Sequence, residues 1–140
     1  MAHSPSVLDP LPAGQPPLAR AVASSRAAAS LGFDWPDASP VFQAVRDELS
    51  ELDEARTSGD PGHLHHELGD VLLAACNLAR HLGVDPTSAL SDAVGRFERR
   101  FRRVESGVRD EGLCWDSLST DEMERRWQAA KRSLAAEGAR

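Results

Sequence analysis

The sequence contains no tyrosine, and Ala and Leu dominate its apolar residues, so its bias is helical. It has only two cysteines, too few for a disulfide scaffold. Cys76 lies in an apolar helical stretch and reads as a buried free thiol, which fits a cytoplasmic location. No apolar run approaches the roughly 20 residues needed to span a membrane. The N-terminus is Pro-rich and lacks the basic-then-apolar pattern of a signal peptide. There is no internal repeat, no strand-like alternation, no Gly-rich phosphate loop and no legible Ser/His/Asp or Cys/His arrangement. Positive charge is also short, with 16 Lys and Arg against 22 Asp and Glu and a net charge of −6. That balance argues against a general nucleic-acid surface.

The 140 residues suit one domain, and a hydrophobic share of 41% supports a modest core. Residues 1–16 carry Pro5, Pro10, Pro12 and Pro16 and read as a flexible arm ahead of a single domain over 17–140. The expected helices run from Pro17 to Leu31, closed by Gly32, and from a cap at Ser39-Pro40 to Ala55. Thr57 to Gly62 reads as a loop. A third helix spans His63 to Leu82, closed by Gly83; it is apolar on most sides and so is expected to be central and buried. A fourth begins at Asp85-Pro86 and ends near Glu105. Ser119 followed by Glu122 is a capping-box pattern opening a last helix over Thr120 to Ala136. The fold class is therefore all-α.

Acidic pairs dominate the chemistry. Glu48 with Glu51, and Glu67 with Asp70, are each spaced i, i+3, which places both carboxylates of a pair on one helix face. A single pair of this kind is an ordinary solvated face. Two pairs on neighbouring helices, each beside an apolar stripe, would converge and repel, and burying them uncompensated is prohibitive. A divalent cation with a preference for hard oxygen ligands removes that repulsion, which points to Mg²⁺, with Mn²⁺ as the alternative. A di-iron carboxylate bundle needs Glu-x-x-His pairs, and none is present.

Arg96 and Arg100, spaced i, i+4, read either as a solvated basic face or as a clamp on phosphate. Asn77 lies two turns beyond Asp70 on the same face, as a core hydrogen bond or as a contact to a sugar or base. Trp35 is a candidate for base stacking or a packing anchor. His63, His65 and His66 read as a solvated helix start.

Several of these strings occur together and in order. Gly32-Phe33-Asp34-Trp35-Pro36-Asp37, Asp47-Glu48-Leu49-Ser50-Glu51, Glu67-Leu68-Gly69-Asp70, Asn77 to Gly83 and Arg96 to Phe101 resemble MazG-type nucleoside triphosphate pyrophosphohydrolases. The similarity covers about Leu11 to Arg132 and matches the catalytic C-terminal half of longer two-domain members. The resemblance implies a four-helix-bundle-like fold with an additional C-terminal helix, dimerising through the bundle, with a tetramer as the alternative. It implies Mg²⁺-dependent hydrolysis of nucleoside triphosphates between the α- and β-phosphates, serving nucleotide-pool house-cleaning. Carried over residue by residue, the metal ligands fall on Glu48, Glu51, Glu67 and Asp70. Asp47 or Glu51 would orient the water, with Glu48 counted among the catalytic acids. Substrate contacts fall on Asn77, Arg96 and Arg100, with Trp35 beside them. The chain departs from the pattern at Asp47 for Glu, Arg96 for Lys, Val94 for Asn, and His65 and His66 for acidic residues. A specialised dUTP or phosphoribosyl-ATP pyrophosphohydrolase and a non-enzymatic helical interaction module are the rival readings.

Overall fold

The computed structural model describes residues 5–138, and these are all-helical with no strand. The helices are α1 (Pro17–Ala29), α2 (Ala38–Ser58), α3 (Pro61–His81), α4 (Pro86–Asp110) and α5 (Thr120–Gly138), with a short 3₁₀ turn at Trp115–Ser117 before the last. The chain divides into two compact units, Met1–Ala89 and Leu90–Arg140, and the boundary falls inside α4. Of the arm expected over residues 1–16, the first four residues lie outside the described part. Within the remainder Arg20 of α1 donates through Nη1 to the Pro12 carbonyl at 2.9 Å.

The helix ends follow local chemistry. Pro17 and Pro61 occupy first-turn positions where a missing N–H costs nothing. α1 closes with Gly32 at φ +85°, its N–H bonded to the Ala29 carbonyl and that of Phe33 to the Ala28 carbonyl. Gly83 closes α3 in the same way at φ +68°. Only glycine adopts this left-handed conformation without strain.

Several expected boundaries move. The cap of α2 is Asp37, whose carboxylate accepts from the Ser39 N–H at 2.8 Å, so the helix begins ahead of Ser39-Pro40. The loop expected over residues 57–62 shrinks to Gly59 and Asp60, because α2 continues to Ser58 and Asp60 caps α3 by accepting from the Gly62 N–H at 2.9 Å. α4 runs on to Asp110, past Glu105.

In the first unit α2 and α3 form a helical hairpin and α1 packs on α3. Its buried apolar residues are Val41, Ala55 and Cys76. The expectation of a fully buried α3 is corrected: Leu68, Leu72 and Leu73 remain 49–53% exposed. In the second unit Val104, Val108, Leu118 and Ala130 form a small core against Trp127. Phe97 packs on Trp127 at 5.3 Å between ring centroids and Phe101 on Trp115 at 5.7 Å. Arg126 grips Glu111 through two bonds of 2.9 and 2.7 Å.

Candidate metal centre

α2 and α3 bring three of the four expected carboxylates together. One oxygen each from Glu48, Glu67 and Asp70 lies within 4.8 Å of the others. Glu67 is buried, while Glu48 and Asp70 are partly exposed. Histidines on the preceding turn hold two of them. His63 Nε2 lies 3.1 Å from Glu67 Oε1, and His66 Nε2 lies 3.1 Å from Asp70 Oδ2. The other Glu67 oxygen, Oε2, is buried with no hydrogen-bond partner.

The electrostatics follow from this crowding. Loss of solvent is the main influence raising the Glu48 carboxyl above its ordinary range, followed by the charges of Glu51, Asp70, Glu67 and Asp47. Glu51 is thus the strongest single charge acting on Glu48, yet it is exposed and stands outside the close group of three. An orphaned carboxylate oxygen inside an all-oxygen donor set is costly alone and is what a hard divalent cation would satisfy. The residues present therefore fit a hard divalent cation, which Glu48, Glu67 and Asp70 could hold.

A cleft of about 320 Å³ opens beside these acids, walled by Ala21, Ser24 and Ser25 of α1, Glu48 of α2, and Asp70, Leu73, Ala74 and Asn77 of α3. The α1 wall was not legible as part of a site, since Ser24 and Ser25 sit in an Ala-rich stretch with no motif. Asn77 and Asp70 share this cleft, as their seven-residue spacing on one helix face allows. Asp47 is exposed and accepts from Gln43 Nε2 at 2.8 Å. Trp35 is 51% exposed in the loop ahead of α2 and is not among the cleft-lining residues.

That loop is anchored by its neighbour. Asp34 accepts from Arg80 Nη1 at 3.0 Å and Nη2 at 2.6 Å, and from His81 Nε2 at 2.8 Å. The bond from Arg80 is the main cause holding the Asp34 carboxyl well below the usual carboxylate range.

Arg96 and Arg100 belong to the second unit. With Arg99 and Lys131 they line a groove of about 300 Å³. Among the described residues none of these four cations has a salt-bridge partner. Such a groove offers donors to an anion.

Comparison with known proteins bears on these residues. Residues 39–105 match the family model described as the MazG nucleotide pyrophosphohydrolase domain. The chain carries a domain of the MazG family. The matched segment includes Glu48, Glu67, Asp70, Asn77, Arg96 and Arg100. The nucleoside triphosphate pyrophosphohydrolase of Escherichia coli (strain K12) is 43% identical over 129 residues, 91% of this chain and 49% of its own length. The nucleoside triphosphate pyrophosphohydrolase/pyrophosphatase MazG of Thermotoga maritima is 39% identical over 104 residues, 74% of this chain and 40% of its own length. The chain therefore spans about half the length, or less, of the curated relatives it matches. Among its described residues no helix is long and apolar enough to cross a membrane.

Proposed function

We propose that this chain hydrolyses nucleoside triphosphates between the α- and β-phosphates, giving a nucleoside monophosphate and pyrophosphate. The observation that carries the reading is the buried, unpartnered Glu67 Oε2 inside the Glu48–Glu67–Asp70 group, beside the cleft that Asn77 lines. Glu48, Glu67 and Asp70 hold Mg²⁺, with Mn²⁺ as the alternative ion and Glu51 as the fourth acid of the set. When bound, the cation supplies neutralisation of phosphate charge and activation of water.

The chain's own residues do the rest. Asp47 or Glu51 orients the attacking water toward the α-phosphorus. The Pα–O bond to the β-phosphate breaks, and Arg96 and Arg100 offer guanidinium donors to the departing pyrophosphate. Asn77 contacts the sugar or base, with Trp35 as a stacking surface. Removal of noncanonical or excess nucleotides is the role this reaction serves, and the free thiols Cys76 and Cys114 fit a cytoplasmic setting.

The chain acts as a homodimer, in this reading. Leu64, Leu68 and Leu72 follow one another at i, i+4 along α3 and are 40–53% exposed, an apolar stripe suited to a second copy.

Product analysis of a mixed nucleoside triphosphate panel tests the reaction. Incubation with Mg²⁺ is expected to give monophosphate and pyrophosphate by ion-exchange chromatography, with neither in EDTA. Diphosphate and orthophosphate would place the cleavage at the wrong bond.

A further inference from the structure

The cleft contains one polar side chain whose orientation is dictated by its neighbours. Arg80 donates to Asn77 Oδ1 from Nε at 3.1 Å and from Nη2 at 2.9 Å. An arginine has donors only, so the end of the Asn77 amide that faces it must be oxygen. The other end, Nδ2, makes no hydrogen bond among the described residues and carries two unused N–H donors.

Arg80 is itself immobilised. Its Nη2 reaches both Asn77 and Asp34, and its Nη1 completes a two-point grip on the Asp34 carboxylate. His81 Nε2 also donates to Asp34 Oδ1 at 2.8 Å. Having donated that proton, the same nitrogen cannot accept from Arg80 Nη2, so their 3.1 Å separation is a close approach only. The side chains of Arg80, His81 and Asp34 are 13%, 9% and 26% exposed, so water competes poorly for these bonds. A planar guanidinium bridging two acceptors has little freedom to rotate, unlike a lysine.

We propose that Asp34 and Arg80 are positioning residues that lock Asn77 as a pure hydrogen-bond donor in the cleft. The cleft then selects a nucleotide presenting an acceptor, a base carbonyl or a sugar oxygen, and disfavours one presenting an amino group there. The nucleotide identity of the ligand rests on the function proposed above. The distance fits that ligand: Asn77 lies seven residues beyond Asp70, about 10 Å along α3 at ~1.5 Å per residue. A nucleoside reaches that far from a phosphate held at the carboxylates.

The test is calorimetric binding of α,β-methylene analogues of ATP, GTP, CTP and UTP with Mg²⁺, followed by the 2′-deoxy form of the tightest one. Turnover of the matching triphosphate is measured alongside. Asp34→Asn is expected to weaken the tightest analogue at least five-fold and to raise KM with kcat within two-fold. A general structural defect would lower both kcat and the folded fraction seen by circular dichroism. Asn77→Asp keeps an oxygen for Arg80 but replaces the donors with an acceptor, so it should lose at least ten-fold for the preferred partner. If the lost contact is to a base carbonyl, the ATP analogue, whose base has none, changes least; if it is to the sugar, all bases change alike.

Should Asp34→Asn fail to fold, Arg80→Lys gives the same readout, because an ammonium cannot hold the fork. Wild-type affinity retained in a folded Asp34→Asn or Arg80→Lys overturns the proposal. Wild-type protein that binds an analogue but turns over no triphosphate overturns the hydrolase reading, while the affinities still decide the clamp. Absence of any binding by the wild type overturns both.

Discussion

Replacing Glu67 by Gln should make the metal-free protein more stable and the metal-loaded protein less so. The oxygens of Glu48, Glu67 and Asp70 lie within 4.8 Å of one another. At that separation two full charges repel by ~1 kcal/mol in bulk water and by ~3–4 kcal/mol at an effective dielectric constant of about 20. Solvent reaches Glu48 and Asp70, so the lower figure is the better guide for each pair. Glu67 has two such neighbours, which sets the relief at about 1–2 kcal/mol after the cost of burying an amide. Gln retains a carbonyl oxygen for the bond from His63 Nε2. For a chain of this length the gain corresponds to a melting temperature higher by about 3–8 °C.

With Mg²⁺ the order changes. At about a thousand times its dissociation constant a ligand stabilises by ~4.1 kcal/mol, and wild type should gain that while Glu67→Gln gains less than a third of it, a difference that outweighs the metal-free advantage. The pH dependence has a definite sign. The native Glu48 carboxyl is raised, so the folded state holds that proton more tightly than the unfolded chain does. Stability of the metal-free wild type therefore rises as pH falls through the native value toward the ordinary one, and the advantage of Glu67→Gln shrinks over the same window. The assay is calorimetric melting of both proteins at pH 8 and pH 5, in EDTA or in MgCl₂ at matched ionic strength. A Glu67→Gln protein that melts below wild type in EDTA, with both raised equally by Mg²⁺, would refute the reasoning.

Two further outcomes are expected. In the second unit Ser119 Oγ accepts from the Glu122 N–H at 3.2 Å, and the Ser119 N–H donates to Glu122 Oε2 at 3.1 Å, the reciprocal box that starts α5. Ser119→Ala should cost about 1 kcal/mol, seen as a melting temperature lower by about 3–5 °C, and an unchanged melt would mean the cap contributes nothing. Leu68→Asp with Leu72→Asp places two charges on the exposed α3 stripe. Light scattering after size exclusion should change from a dimer to a folded monomer, and a persistent dimer would move the interface elsewhere.

The helices were legible because their ends carry proline at the start and glycine at the stop, and these act through the backbone alone. The boundaries that moved are those where two local signals compete. Ser39-Pro40 is a fair cap in isolation, but Asp37 reaches the Ser39 N–H first and starts the helix earlier. The Gly- and Pro-containing linker reads as a loop, yet Gly59 closes one helix and Pro61 opens the next, leaving little between. The carboxylate group was legible from helical spacing, as was the placing of Asn77. The grip of Asp34 on Arg80 was not, because it joins residues 46 apart and no periodicity encodes such a contact. The histidines ahead of Glu67 and Asp70 are exposed at the helix start, as expected, and the i, i+4 spacing of His63 with Glu67 and of His66 with Asp70 also accounts for the contacts they make.

The same spacing explains why three acids converge and the fourth stands apart. On α2 the residues turned inward are Val41, Val45, Glu48, Leu52 and Ala55, alternately four and three apart, the pattern of a seam between packed helices. On α3 the corresponding series is Glu67, Asp70, Ala74, Asn77 and His81. Glu48 therefore occupies a seam position, and Glu51, three residues on but outside the series, projects from its edge. Positions that would ordinarily hold leucine are given to carboxylates and an amide. The apolar residues of α3 that remain, Leu64, Leu68 and Leu72, are left on a different face and stay half exposed. A helix pair that commits its seam to polar chemistry has less apolar contact to hold itself together. Covering the leucine stripe with a second copy would restore that contact, so the proposed dimer and the proposed site would support one another.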